Sequence, residues 1–349
     1  MHFQTIRRFT DKREDMWIVY GGIFAGLILT GLVAVGAVTE QKQSKYFDKY
    51  NSLIFKGIAI LCVMMCHFMG DFGEGITIFT PLGGIGVSIF LILSAYGLNE
   101  SWTNNGKRYW WRKRIMNVVI PYAAVKSIFL AINGDFNIID YFTDIFLLRP
   151  QHPYGWYLNY LLLWYVIFYV VMRLNIDKKK KLITFGLISI ILFVVCGEIR
   201  AEQSLSFLTG ILLSEFKESN EIKKYMNWKW GSALIVFGCV FLALKQTEVI
   251  RMGSLIVFKF IQMLIKLPCG LGLCLVVMSI SSKINLRFLA LVGTISYELY
   301  LVHGYILSQV PLSIKGELVF LGLSIVLAVF LWLIVDKTKI VQRKLLKIS

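Results

Sequence analysis

Long apolar runs separated by short polar segments dominate the sequence. Most runs approach the roughly 20 residues that a helix needs to cross a hydrocarbon core of about 30 Å. The runs are continuous rather than alternating between apolar and polar residues, which favours helices over the strands of a membrane barrel. The pattern therefore predicts an all-α, polytopic integral membrane helical bundle with about 10–11 transmembrane helices. The predicted spans are residues 17–38, 52–70, 80–98, 115–132, 156–172, 182–197, 204–216, 231–245, 255–280, 286–310 and 318–335.

The same pattern divides the chain into three predicted parts. Residues 1–49 form an N-terminal basic segment plus an extra transmembrane helix, residues 50–336 form the membrane domain, and residues 337–349 form a basic cytoplasmic tail. The loops between the spans are too short to hold a soluble domain. Function is therefore expected inside the membrane or at its two surfaces.

Composition excludes a water-soluble protein. Hydrophobic residues make up 57% of the chain and charged residues only 17%, whereas about 25% of the residues of a soluble protein are charged. The net charge of +16 follows from basic loops at 99–114, 173–181 and 217–229 and from the tail. These loops alternate with loops poorer in Lys and Arg, as the positive-inside rule requires. We therefore expect a multi-pass protein of the cell membrane with a cytoplasmic C-terminus, whose partner is the lipid bilayer and not nucleic acid.

Lys56 and His67 are the most informative polar residues inside a span. They are eleven residues apart, so a helix turns three times plus about 20° between them and holds both on one face, roughly 16 Å apart along its axis. The pKa of histidine, about 6.5, suits proton transfer at neutral pH. His67 could deprotonate a hydroxyl that attacks a thioester, or carry the acyl group itself. Two plainer interpretations remain: Lys56 reaching the inner headgroups, and His67 lying at the outer interface.

A second candidate is the basic segment that precedes the span at 115–132. Arg112, Lys113 and Arg114 place three cations at the cytoplasmic surface, where arginine suits bidentate phosphate contacts; simple membrane anchoring is the alternative. The six cysteines and four histidines form no zinc-ligand spacing, so no metal is expected. Further candidate pocket residues, all polar or aromatic and within or beside spans, are Ser94, Tyr122, Trp156, Tyr300 and His303.

Six segments, in order, resemble the membrane-bound acyltransferase family 3, whose members O-acylate bacterial glycans. They are FKGIAILCVMMCHF, GVSIFLILSAYGL, RYWWRKRIMNVVIPY, WYLNYLLLWYVIFYV, SFLTGILLSEF and SYELYLVHGYI, and together they cover about residues 50–335.

The resemblance implies transfer of an acyl group, usually acetyl, from cytoplasmic coenzyme A to a sugar hydroxyl. Acetyl-CoA or another acyl-CoA would be the co-substrate. The acceptor would be a cell-surface or lipid-linked polysaccharide, such as capsule or exopolysaccharide. The family's essential histidine falls on His67 and its basic partner on Lys56.

The family's arginine pattern falls on Arg114, but Asn117 stands where a second arginine is usual, so donor contacts would shift to Arg112 or Lys113. Ser88 stands at the usual acidic position, and Ala95 replaces the glycine that usually follows the serine at Ser94.

Two other functions stay open on the sequence alone. A transporter or polymerase of lipid-linked sugars would spread polar residues along a path and need neither coenzyme A nor one indispensable histidine. A family relative that has lost activity would instead regulate or scaffold glycan assembly, although retention of Lys56 and His67 argues against this.

Overall fold

The computed structural model describes residues 21–22, 26, 47–70, 80–107, 109–133, 137–145, 153–281, 284–311 and 313–347. Every regular element in these ranges is a helix, which confirms the all-α class. The predicted first span, 17–38, lies almost wholly outside the described residues.

Sixteen α-helices follow one another along the described ranges. A π-helical turn, Ile115–Val119, joins the third to the fourth, and a 3₁₀ turn, Pro153–Gly155, precedes the sixth. The helices are α1 Lys49–Gly70, α2 Thr80–Asn105, α3 Trp110–Arg114, α4 Ile120–Asn133, α5 Ile138–Ile145, α6 Trp156–Arg173, α7 Lys178–Val195, α8 Glu198–Ala201, α9 Ser204–Glu215, α10 Asn220–Lys223, α11 Trp228–Lys245, α12 Glu248–Arg251, α13 Leu255–Ser281, α14 Arg287–Thr294, α15 Ser296–Leu307 and α16 Ile314–Lys347.

Seven helical segments of the described residues are long and apolar enough to cross a membrane, which confirms a polytopic membrane protein. One of them is α13, which runs unbroken through Pro268 and buries both Lys259 and Lys266. The seven segments are α1, α2, Trp110–Ile132, α6, α11, α13 and Ile314–Lys337 of α16.

Three predicted spans take a different form from the one expected. The span 182–197 lies in helix α7, which begins earlier than predicted, at the first residue of the lysine run 178–181. The span 204–216 is the 12-residue helix α9, only about 18 Å long. The span 286–310 is not one helix, because Ile295 departs from helical geometry and separates α14 from α15. Apolar run length could not reveal this break, since Ile295 is as apolar as its neighbours.

The chain forms two compact units. The first comprises Met1–Asn105 and Tyr160–Gly293, and the second comprises Gly106–Asn159 and Thr294–Ser349.

In the first unit, α1 packs backbone to backbone against two helices. A Cβ atom on Gly57 would overlap the Leu289 carbonyl of α14, and one on Gly293 would overlap the Leu53 carbonyl of α1. On α2, a Cβ on Gly86 would lie 2.5 Å from the Ala59 carbonyl oxygen. Small residues allow membrane helices to approach this closely, so glycine fixes the position of α1.

Basic loops of the first unit meet at one end of its helices. Glu100, near the end of α2, accepts hydrogen bonds from the Lys217 ammonium at 2.6 Å and the Ser214 hydroxyl at 2.7 Å. Glu215 pairs with Lys178 at 2.5 Å and accepts from the Asn99 amide at 2.7 Å. These bonds link residues of the three basic loops that are predicted to face the cytoplasm. The three loops therefore meet at one end of the unit, as that prediction requires.

We predict that Gly57→Leu destabilises the protein, because the new side chain must displace the Leu289 backbone. Overpacking of this kind costs about 1–3 kcal/mol, so the melting temperature in detergent should fall by several degrees. Gly97→Leu is the matched control on α2, because Gly97 is exposed and a Cβ there meets nothing within 4 Å. Equal melting temperatures for the two variants would contradict the close approach of α1 and α14.

Candidate active site

Lys56 and His67 both lie on α1, which is continuous from Lys49 to Gly70, and both are half-buried. The helix is fixed at the Lys56 end. The Asp48 carboxylate caps it by accepting from the Asn51 backbone N–H at 2.8 Å. The wholly buried Asn51 side-chain oxygen accepts from the Ser281 hydroxyl at 2.9 Å. The predicted common face of Lys56 and His67 therefore rests on a regular, anchored helix.

At the His67 end, α1 meets the beginning of α2. The Cys66 thiol donates to the Thr80 carbonyl oxygen at 3.2 Å, and a Cβ on Gly83 would lie 2.6 Å from the Cys66 sulfur. His67 follows Cys66 directly. His67 therefore lies at the same depth along the helices of the first unit as the first turns of α2.

A buried polar network begins at this level of α2. The Gln203 amide donates to the Gly84 carbonyl oxygen at 2.9 Å, and its own oxygen accepts from the Ser88 hydroxyl at 2.7 Å and from the Ser206 hydroxyl at 3.3 Å. Gln203, Ser88 and Ser206 are all fully buried. The Ser206 hydroxyl also donates to the Ser88 hydroxyl oxygen at 3.1 Å, so Ser88 serves to join α2 to α9.

An ion pair between Lys266 of α13 and Glu202 lies beside this network. Their side chains are only 10% and 4% exposed, and the methylenes of Lys266 pass directly over Gly84. Sequence reasoning missed this pair, because the charge pattern placed Glu202 in a surface loop. The available signal was Lys266 itself, a cation inside an apolar run.

In the second unit, α3 presents the predicted phosphate-binding cations. Arg112 and Lys113 are exposed, whereas Arg114 is half-buried with its guanidinium 5.0 Å from the centre of the Trp110 ring. Asn117, in the π-helical turn, donates to the Lys113 carbonyl oxygen at 2.7 Å. Asn117 therefore satisfies a backbone carbonyl of this segment. Arg112 and Lys113, the two exposed cations, are the residues most accessible to an anion.

Tyr122 is held by a second buried ion pair. Its hydroxyl donates to the Asp144 carboxylate, and the Lys126 ammonium lies 2.6 Å from the same carboxylate. Asp144 is completely buried and the Lys126 side chain is 12% exposed. Sequence reasoning treated Asp144 as a loop residue and passed over Lys126, although Lys126 follows Tyr122 by one helical turn inside a span.

An aromatic group surrounds His303 on α15. The Tyr300 hydroxyl donates to the Tyr154 carbonyl oxygen, and the Tyr154 ring stacks on the His303 ring with centres 5.3 Å apart. Tyr157 meets Tyr300 edge-on at 5.1 Å, and Trp156 meets Tyr157 at 6.3 Å. Tyr154 and Tyr157 therefore both tie the segment around Trp156 to α15.

The surroundings of His303 fix the tautomer of its imidazole. His303 Nδ1 lies 2.9 Å from the Tyr300 carbonyl oxygen and 3.0 Å from that of Leu299. A carbonyl oxygen only accepts, so Nδ1 carries the proton and the lone pair of the neutral ring is on Nε2. His303 is fully buried.

The predicted site residues are distributed between the two units. Lys56, His67 and Ser94 belong to the first, and Arg112, Lys113, Arg114, Tyr122, Trp156, Tyr300 and His303 belong to the second.

The sequence offers Ser94, Tyr122 and Tyr300 as candidate hydrogen-bond donors to an oxyanion. Ser94 lies ten residues beyond Gly84, about 15 Å along α2, and therefore towards the Lys56 end of α1 rather than the His67 end. The hydroxyl protons of Tyr122 and Tyr300 are already donated to Asp144 and Tyr154. An oxyanion role for any of the three stays a prediction. Within the described residues, no group of three or more His, Cys, Asp or Glu side chains could hold a metal ion.

Comparison with known proteins gives one match. A family model described as an acyltransferase domain, that of the acyltransferase family 3, matches residues 49–337. The matched region contains every candidate site residue from Lys56 to His303. No curated protein and no solved structure matches the chain.

We predict that Asp144→Asn destabilises the second unit, because it leaves the Lys126 ammonium buried without a carboxylate. Removal of one partner of a buried pair costs about 3–5 kcal/mol. The double variant Lys126→Met/Asp144→Asn removes both charges and should recover most of the loss, as measured by denaturant unfolding in detergent. Additive losses in the double variant would show that the two residues do not form the pair.

Proposed function

We propose a specific reaction on one premise: the chain belongs to the membrane acyltransferase family 3. As a member, it is a membrane enzyme that transfers acyl groups. In our proposal the acyl group is acetyl, the donor is acyl-coenzyme A, and the acceptor is a hydroxyl of a cell-surface or lipid-linked polysaccharide. The observation that supports chemistry at α1 is the placement of Lys56 and His67 together on one regular, anchored helix.

His67 supplies the proton transfer in this proposal. The acceptor oxygen attacks the thioester carbonyl carbon while His67 takes the hydroxyl proton. The carbon–sulfur bond then breaks, and the leaving thiolate of coenzyme A receives that proton. In the second route, His67 attacks the thioester first and passes the acyl group to the hydroxyl. Both routes consume and release the same molecules, and both fail without His67.

Donor binding is assigned to the cations of α3. The phosphates of coenzyme A carry the negative charge, and arginine offers them paired hydrogen bonds. Arg112 and Lys113 are exposed, so they take this role, with Arg114 packed behind them on Trp110. The proposal places this segment and the C-terminus on the cytoplasmic side of the cell membrane, where coenzyme A is found. Lys56 is assigned the role of the basic partner of His67 on α1.

We predict that His67→Ala abolishes acylation of the surface glycan. The test is mass spectrometry of glycans from cells that carry the wild-type gene, the His67→Ala gene or no gene, at matched protein levels. The acyl mass should appear only with the wild type, and its value identifies the acyl group. Phe68→Leu, a substitution of the apolar neighbour, is the control for damage to α1.

Two outcomes would contradict the proposal. Full acylation with His67→Ala would remove His67 from the reaction. Identical acylation in all three strains, with a change only in the amount or location of the glycan, would indicate a transporter or polymerase.

A further inference from the structure

A group of buried and half-buried charges near the level of His67 has no part in the reaction proposed above. Lys266 marks its depth, since its methylenes lie on Gly84, one residue beyond the contact between Gly83 and Cys66. Four cations and two carboxylates from α8, α11, α13 and the residue after α8 make up the group. We call it the cationic cluster: Arg200, Lys245, Lys259, Lys266, Glu198 and Glu202.

Lys259 is the clearest sign of unbalanced charge in this cluster. It is only 6% exposed. Among the described residues its ammonium has one hydrogen-bond partner, the Cys196 carbonyl oxygen at 2.7 Å. A buried ammonium is normally paired with a carboxylate, since burial without one is costly. Lys259 therefore has unused capacity to bind an anion.

The other cations add to the positive potential. Glu202 is occupied by Lys266. Lys245, whose ammonium lies 5.5 Å from the centre of the Phe258 ring, is repelled by Lys266 and attracted by Glu202 and Glu198. Arg200 and Lys259 both act electrostatically on the Cys196 thiol. The two carboxylates thus do not balance the four cations.

Gln262 places an unsatisfied acceptor on the same face of α13. Residues 259, 262 and 266 follow the three- and four-residue spacing of a single helical face. The Gln262 amide nitrogen donates to Glu198 at 3.4 Å, but its buried oxygen has no hydrogen-bond partner among the described residues. Such an oxygen favours a ligand that brings a hydroxyl donor.

Membrane anchoring does not account for these cations. The basic loops meet at the Glu100 end of α2, whereas Lys266 lies at Gly84, sixteen residues or roughly 24 Å away along the helix. Under the positive-inside rule, anchoring cations belong at the Glu100 end of α2 and not at the Gly84 end. Buried ionisable residues at membrane depth are more often functional.

We propose that the cationic cluster binds the acidic sugar of the acceptor. The negative group of the sugar, a carboxylate or a phosphate, contacts Lys259 and Lys245, and a sugar hydroxyl donates to the Gln262 oxygen. This inference deepens the proposed function and rests on it, because it assigns an acidic glycan as the acceptor class.

The test uses the full chain in lipid nanodiscs with acetyl-CoA and three acceptor probes. The probes are an oligogalacturonide, a neutral galactose oligomer of equal length, and the same oligomer carrying one phosphate. Lys259→Met should raise KM about tenfold or more for the carboxylate probe or the phosphate probe, with kcat unchanged and the neutral probe unaffected. The probe that responds identifies the anionic group.

Lys229→Met is the matched control, because Lys229 is an exposed cation at the opposite end of α11 from Lys245. It should change KM for none of the probes. An unchanged KM in Lys259→Met, or an equal rise for neutral and charged probes, would overturn the inference. The second result would show a general structural effect.

A binding measurement separates failure of this inference from failure of the proposed function. Calorimetric titration of the two charged probes into the nanodiscs needs no acyl donor. Binding that Lys259→Met abolishes would support the acidic-sugar site even if no probe is acylated. Absence of binding to the wild-type chain would overturn the site, whatever the outcome of the transfer assay.

Discussion

The backbone contacts of α1 are the constraint on which the first unit depends. In a bilayer, lipid tails solvate apolar side chains as well as another helix does, so helices associate through close packing and buried polar contacts. Gly57 and Gly293 remove the side chains that would separate α1 from α14, and Gly86 does the same between α2 and α1. A helix held on two sides in this way cannot rotate without a clash. The backbone that carries His67, at the end of this helix, is therefore held in one orientation.

Buried ion pairs are the second feature that fixes how the elements of each unit pack. The Lys126–Asp144 pair joins α4 to α5, and the Lys266–Glu202 pair joins α13 to the residue after α8. Such pairs contribute little net stability, because desolvation offsets most of their attraction. Their value lies in specificity, since helices in any other register would leave a charge alone in an apolar interior. The polar bonds of Gln203 to Gly84 and Ser88 act in the same direction.

Apolar run length was sufficient to predict the helical class and most spans. Helix geometry also sufficed to place Lys56 and His67 on one face, because both residues lie on a single element. The limits appear where partners come from different elements. Glu202 and Asp144 were assigned to loops, since a sequence does not show that each has a buried lysine beside it. Ile295 divides the apolar run 286–310 into two helices, but its own sequence neighbourhood gives no sign of this break. The engagement of Tyr122 and Tyr300 by Asp144 and Tyr154 likewise arises only from tertiary packing.

The central claim is that His67, fixed on α1, drives acyl transfer from coenzyme A to a glycan hydroxyl. The most direct measurement is the release of free coenzyme A by the purified chain in nanodiscs, with and without glycan extracted from the cell surface. The account predicts release that depends on the glycan and that His67→Gln slows by about 10²-fold or more. Equal release by His67→Gln and the wild type would contradict it.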